Sequence, residues 1–227
     1  MRLHFATTAI IMASLLGHAA LAQESVQPAY AITYIEVAPN SVAEARQLIL
    51  TYSADARKAS GAVQIDALQR IGYASHFALI EQWQSQKSKD AYAAGAATKA
   101  FREALAPLRI AAYDERLYAP LAVGPALPAT SDTVAILTHV DVIPTAKDAG
   151  AVKVKEFADQ SRGKTGNLRF DALVQTSRAN HMTVIEFWDT QASKEAHIST
   201  AAARSYREDL YPISGSLYDE RAYKLLR

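Results

Sequence analysis

The chain repeats itself. Shifted by 105 residues, its two halves align without a gap: Ile80-Glu81-Gln82-Trp83 falls on Ile185-Glu186-Phe187-Trp188, and Tyr113-Asp114-Glu115-Arg116 falls on Tyr218-Asp219-Glu220-Arg221. Gly61 meets Gly166, Asp66-Ala67-Leu68 meets Asp171-Ala172-Leu173, His76 meets His181, and Arg102-Glu103 meets Arg207-Glu208. A period this long is a small folded unit rather than one rung of a solenoid. The chain is therefore two copies of one unit, residues 29–118 and 132–227. Residues 119–131 join them, and Pro120, Gly124, Pro125 and Pro128 mark that stretch as a linker.

Each copy reads β-α-β-β-α-β. Apolar, β-rich stretches at 32–37 and 134–142 end at Pro39 and Pro144. Ser41 with Glu44, and Thr145 with Asp148, have the spacing of helix N-caps. Val42, Ala45, Leu48, Ile49 and Tyr52 then recur at helical spacing, as do Val152, Val154 and Phe157. Gly61 and Gly166 suit the turn that follows. Strands are expected at 63–71 and 76–83, with copies at 168–176 and 181–188, turning at Gly72 and at 177–180. One second helix per copy (87–105 and 192–210) and a last strand (113–118 and 217–225) complete the unit. This order is the split βαβ, ferredoxin-like arrangement, an α+β fold with helices on one face of a four-stranded sheet. The strands carry apolar residues at both parities, Phe77 and Leu79 against Ala78 and Ile80, so both sheet faces need cover. The two repeats are expected to pair sheet to sheet into one barrel-like unit within the chain. Further oligomerisation is left open.

The N-terminus has a base at Arg2, an apolar run through residues 9–16 and an Ala20-Leu21-Ala22 site, the pattern of a signal peptide over residues 1–22 cleaved after Ala22. A periplasmic or secreted location is the expectation. No membrane span is expected in the mature chain, because nothing after residue 22 approaches about 18 consecutive apolar residues. Removing Arg2 from the 24 basic residues leaves 23 against 23 acidic ones. That neutrality argues against nucleic acid as a partner. There is no Cys, which excludes disulfides, thiolate metal sites and a Cys nucleophile.

Three stretches carry a family resemblance: Glu-x-Trp at the end of the third strand (Glu81 to Trp83, Glu186 to Trp188), Ser-Lys-Glu-Ala-His from Ser193 to His197, and Tyr-Arg-Glu-x-Leu from Tyr206 to Leu210. In these the chain resembles the antibiotic biosynthesis monooxygenase (ABM) domain family, a branch of the dimeric α/β-barrel superfamily, twice over. The family includes cofactor-free quinol and anthrone-type monooxygenases, haem-degrading monooxygenases and proteins of no known role. Its members are usually homodimers of one unit, and the tandem copy looks like that dimer fused. The resemblance implies a cofactor-independent monooxygenase acting on a small aromatic, quinol-like substrate or a polycyclic phenol, with no cofactor. A non-catalytic binder of aromatic small molecules and a haem-binding or haem-degrading relative remain open beside it.

The resemblance places Trp188 and Trp83 in a cavity between sheet and helices, where an indole stacks on a flat substrate and donates one hydrogen bond. The bland alternative is a core residue at a strand end. Glu186 and Glu81, two residues earlier, share the Trp face. A carboxylate among apolar neighbours has a raised pKa and can act as a base; it can equally be a structural acceptor. His197 falls where the family pattern has a His, and an imidazole titrating near neutrality can take a proton from a phenol. The first copy has Tyr92 there, and Tyr34 where the second has His139. The site is therefore expected in the second copy, with His197 and Glu186 catalytic. Trp188, His139, Tyr218, Arg221, Trp83, Tyr34 and Tyr92 are the candidate substrate contacts. Haem-degrading relatives use an Asn on strand one, and Tyr34 or His139 stands near that place instead. No metal-ligand spacing such as HxH or HExxH occurs.

Overall fold

A computed structural model describes residues 27–227, so the expected signal peptide lies outside the described residues. The first repeat contains β1 (Ala29–Glu36), α1 (Val42–Ala56), β2 (Ala62–Arg70), β3 (His76–Trp83), α2 (Gln86–Ala93), α3 (Ala96–Leu105) and β4 (Asp114–Ala122). The second contains β5 (Val134–Asp141), α4 (Lys147–Ser161), β6 (Asn167–Gln175), β7 (His181–Trp188), α5 (Gln191–Ile198), α6 (Ala201–Leu210) and β8 (Asp219–Leu225). These strands close into one barrel, ordered β1-β3-β2-β8-β5-β7-β6-β4. Each repeat keeps its own ferredoxin-like sheet. The joints between repeats are β2 with β8, from Leu68↔Leu225 to Arg70↔Tyr223, and β4 with β6, from Tyr118↔Gln175 to Ala122↔Ala172. Closure removes the four sheet edges that separate sheets would leave. To reach β6, β4 runs past residue 118 into the stretch whose prolines read as linker.

The double-parity pattern now has its cause. One parity fills the barrel, with Ile32, Leu68, Ile80, Leu137, Leu173, Ile185 and Phe187 among the buried side chains. The other faces the helices and builds a separate core in each repeat, around Trp83 in the first and Trp188 in the second.

Two local expectations are corrected. The second helix of each repeat is broken, because Gly95 and Thr200 are extended (ψ 162° and 156°), and the Thr200 hydroxyl caps a new helix by accepting from Ala203 N at 3.2 Å. Ser41 holds the N-cap position of α1 without a side-chain capping bond, and Thr145 lies one residue before the N-cap of α4. Pro39 and Pro144 start a single 3₁₀ turn, which leaves Ser41 at φ −100°, ψ 2° with no capping bond and makes Ala146 the residue before α4. The working caps are Ser85 and Thr190, which accept from Ser88 N and Ser193 N at 3.1 and 3.2 Å. Gly166 is left-handed at φ +78°, and a Cβ there would meet Ser193 Cβ at 2.5 Å, so this turn requires glycine.

The barrel interior is polar at both ends. At one, Arg169, 1% exposed, donates to Asp171 at 2.6 Å and across the repeats to Asp66 at 3.1 Å. At the other, Arg116 and Arg221 sit over the Tyr34 ring (5.1 and 5.5 Å to its centroid), and each is paired to its own carboxylate, Asp114 or Asp219.

Candidate functional site

The helix-facing layer of repeat two gathers four of the nine expected residues, Glu186, Trp188, His197 and, at its rim, Tyr218. Glu186 and Trp188 are neighbours on one face of β7, and the indole Nε1 donates to Glu186 Oε2 at 2.9 Å. His197 comes from the last turn of α5, about two turns beyond the Thr190 cap, and stacks on Trp188 with centroids 4.7 Å apart and rings at 29°. Phe170 meets the indole edge-on at 6.4 Å. Phe157 of α4 and Tyr206 of α6 stack in parallel at 4.0 Å and close the layer from the outside. Glu220 of β8 pairs with Lys194 and, at 3.4 Å, with Arg207, whose guanidinium lies 4.9 Å from the Tyr218 ring centroid at the rim.

Burial sets the electrostatics. It raises the Glu186 pKa to about 7, against the lowering by the indole bond and by Lys194. Burial also holds the His197 pKa below its usual value, with Lys164 and Lys194 adding to the same direction. His197 is thus a neutral base at pH 7. Its Nε2 is buried and has no hydrogen-bond partner.

Repeat one presents the same frame with other residues. Trp83 Nε1 donates to Glu81 Oε2 at 3.2 Å, and Tyr92 lies against Trp83 at 5.1 Å. Tyr52 Oη donates to the second oxygen of Glu81 at 2.8 Å.

The structure does not bring Tyr34, His139 and Arg221 to either Trp. They point into the barrel, on the other side of the sheet, because strand parity puts Thr33 and Thr138, not Tyr34 and His139, on the helix face. His139 contacts Arg116 through Nε2 and Thr183 Oγ1 through Nδ1 at 3.2 Å, and its ring is 5.9 Å from that of Tyr34. Two further expectations change. The Trp188 N–H is already given to Glu186, so it is not free for a substrate. One indole face is covered by His197. With Trp188 fully buried and His197 6% exposed, the site is closed. A groove of about 150 Å³ lies between α4 and α6, lined by Phe157 and Tyr206, with Lys153 and Asp209 paired across it at 3.1 Å.

The sequence profile described as antibiotic biosynthesis monooxygenase matches residues 28–104 and again 133–209. The chain belongs to this family. Solved structures share the ABM barrel at full length. A monooxygenase candidate from Lactobacillus acidophilus NCFM superposes with a TM-score of 0.73 at 17% identity, covering 88% of this chain and 94% of that one. One from Fusobacterium nucleatum gives 0.80 at 13% identity, covering 89% and 94%. A protein described as anthrone oxidase-like gives 0.68 at 12% identity, covering 90% and 93%. At these identities the likeness is one of fold. A search of curated proteins finds no match.

Sequence reasoning missed Phe157, Tyr206 and Thr138 in this candidate site. The signal for the first two was present: Tyr52 and Phe101 align with Phe157 and Tyr206, so one hydroxyl changes helices between repeats. The Glu186 carboxyl also makes stability depend on pH. Its pKa is raised on folding, so its contribution is complete below about 4.5, its unfolded value, and is lost as pH rises through about 7. Glu186→Gln should flatten the fall in Tm of the native chain between about pH 5 and about pH 8, a difference on the order of 3 kcal/mol. Parallel Tm curves for the two proteins would show that Glu186 is ionised throughout.

Proposed function

We propose that this chain is an exported, cofactor-independent monooxygenase that oxidises a quinol or polycyclic phenol in repeat two. The observation that carries the reading is a buried, neutral imidazole whose Nε2 has no partner, set against an indole fixed by a carboxylate. His197 accepts the proton of the phenolic hydroxyl. The aryl anion then gives one electron to dioxygen, and recombination forms a carbon–oxygen bond. Loss of water from the resulting peroxide leaves a carbonyl. One oxygen atom enters the product, the other leaves as water, and all the electrons come from the substrate, so no external reductant is required. Glu186 holds the Trp188 ring and sets the field around His197. The family description and the anthrone oxidase-like neighbour support the reaction class, and the pattern of residues 1–22 supports export.

The test is dioxygen uptake by the purified chain with a panel of hydroquinones and anthrones, without added cofactor, against autoxidation blanks and denatured protein. Uptake above both controls is expected. Saturable binding with no uptake would replace the oxygenase by a binding protein.

A further inference from the structure

The two repeats differ in where one hydroxyl sits. In repeat one, Tyr52 of α1 stacks on Phe101 of α3 (4.3 Å, 20°), and its hydroxyl is consumed by Glu81 at 2.8 Å. In repeat two the stack is Phe157 on Tyr206 (4.0 Å, 7°). The hydroxyl has crossed from the first helix of the repeat to the last, and Tyr206 Oη is buried without a partner. Thr138 Oγ1, on β5 of the same repeat, is likewise buried and unpartnered.

Three of the polar atoms that stand unpartnered in the helix-facing layer of repeat two are Thr138 Oγ1, His197 Nε2 and Tyr206 Oη, beside Ser161 Oγ at the end of α4. At the three matching positions of repeat one there is a single such atom, Tyr92 Oη. Thr138 lies two residues along β5 from Ile136, the cross-strand partner of Glu186. His197 stacks on the indole that Glu186 holds, and the Glu186 carboxylate helps raise the Tyr206 pKa. Phe157 packs on both the His197 ring (5.6 Å) and the Tyr206 ring. Buried polar groups are almost always paired, and an unpaired cluster marks a place that a ligand completes.

We infer that Tyr206 is a substrate-binding residue of repeat two, donating its hydroxyl to a second oxygen on an aromatic ring system whose acidic hydroxyl faces His197, and that repeat one is a copy closed by its Tyr52–Glu81 bond. The inference rests on the proposed function and narrows it. The substrate that Tyr206 selects carries an oxygen acceptor besides the acidic hydroxyl, which separates it from a simple phenol. Burial keeps the Tyr206 hydroxyl protonated far into the alkaline range, so it acts as a donor.

The experiment is calorimetric titration of the purified chain with 1,8-dihydroxyanthraquinone, a stable oxidised analogue of such a substrate. Tyr206→Phe retains the ring stack and removes one hydroxyl. It should bind about tenfold more weakly with an unchanged or higher Tm, since the lost group had no partner. The exchange Phe157→Tyr with Tyr206→Phe rebuilds the stack of repeat one and should weaken binding at least as much. If Tyr206→Phe binds like the native chain while His197→Tyr does not, the role of Tyr206 is overturned and the oxygenase reading stands. If Tyr206→Phe lowers Tm steeply, the hydroxyl is a structural bond and the inference fails. If the native chain neither binds the probe nor consumes dioxygen with any substrate, the proposed function fails and takes this inference with it.

Discussion

His197→Tyr should abolish turnover, lowering the rate of dioxygen uptake by about 10²- to 10⁴-fold, the usual loss when a positioned general base is removed. Tyrosine is chosen because repeat one already carries Tyr92 at the matching position, packed 5.1 Å from Trp83, so the helix and the indole contact have a precedent in the same chain. Alanine would remove the imidazole at the expense of a cavity beneath α5, and a fall in Tm would then be confused with a chemical effect. With tyrosine the Tm should stay within a few degrees while the rate collapses. Burial already depresses the His197 pKa, so the native rate should show no loss from His197 protonation until the pH falls below the ordinary imidazole range. A variant that keeps its rate removes His197 from the mechanism and moves the search to Glu186.

The largest stability effect should come from the barrel interior rather than the candidate site. Arg169→Met strands the Asp66 and Asp171 carboxylates, which the guanidinium bridges at 3.1 and 2.6 Å. Removing one partner of a buried ion cluster costs about 3–5 kcal/mol. In a chain of this size that is a fall in Tm of roughly 10 °C. The triple variant Arg169→Met, Asp66→Asn, Asp171→Asn should recover most of the loss, because the cost lies in the uncompensated charge rather than in the bridge itself. Burial raises the Asp66 pKa even in the native chain. The deficit should therefore shrink as the pH falls toward the carboxylate range and Asp66 becomes neutral. Thermal melts of the three proteins at neutral and mildly acid pH decide the matter. A single variant as stable as the native chain would mean that Asp66 and Asp171 are compensated elsewhere.

Much of the fold was legible because the duplication let each segment be read twice. Strand ends at Trp83 and Trp188 and left-handed turns at Gly61 and Gly166 follow from local pattern alone. The helix breaks at Gly95 and Thr200 were missed because the apolar spacing continues across them. Ser41 was placed at the right N-cap but makes no capping bond, and Thr145 was placed one residue early, because Pro39 and Pro144 had already turned the backbone. In the candidate site, Trp188, Glu186 and His197 were found from motif spacing. Tyr34, His139 and Arg221 were grouped with them by type, and the structure parts them by a single step of strand parity.

By itself the sequence determined that the chain is two ferredoxin-like units, that both faces of each sheet must be covered, and which helix turn carries the imidazole. These are consequences of local periodicity and of identity between halves. Only the tertiary structure decided which polar atoms are left unpaired. Hydrogen-bond satisfaction depends on which side chains from distant strands and helices meet within about 3 Å, and no spacing within a segment records that. The exchanged hydroxyl shows the difference. Tyr52 and Tyr206 are visible in the sequence as residues, but only the packed structure shows that one closes onto Glu81 and the other is left without a partner.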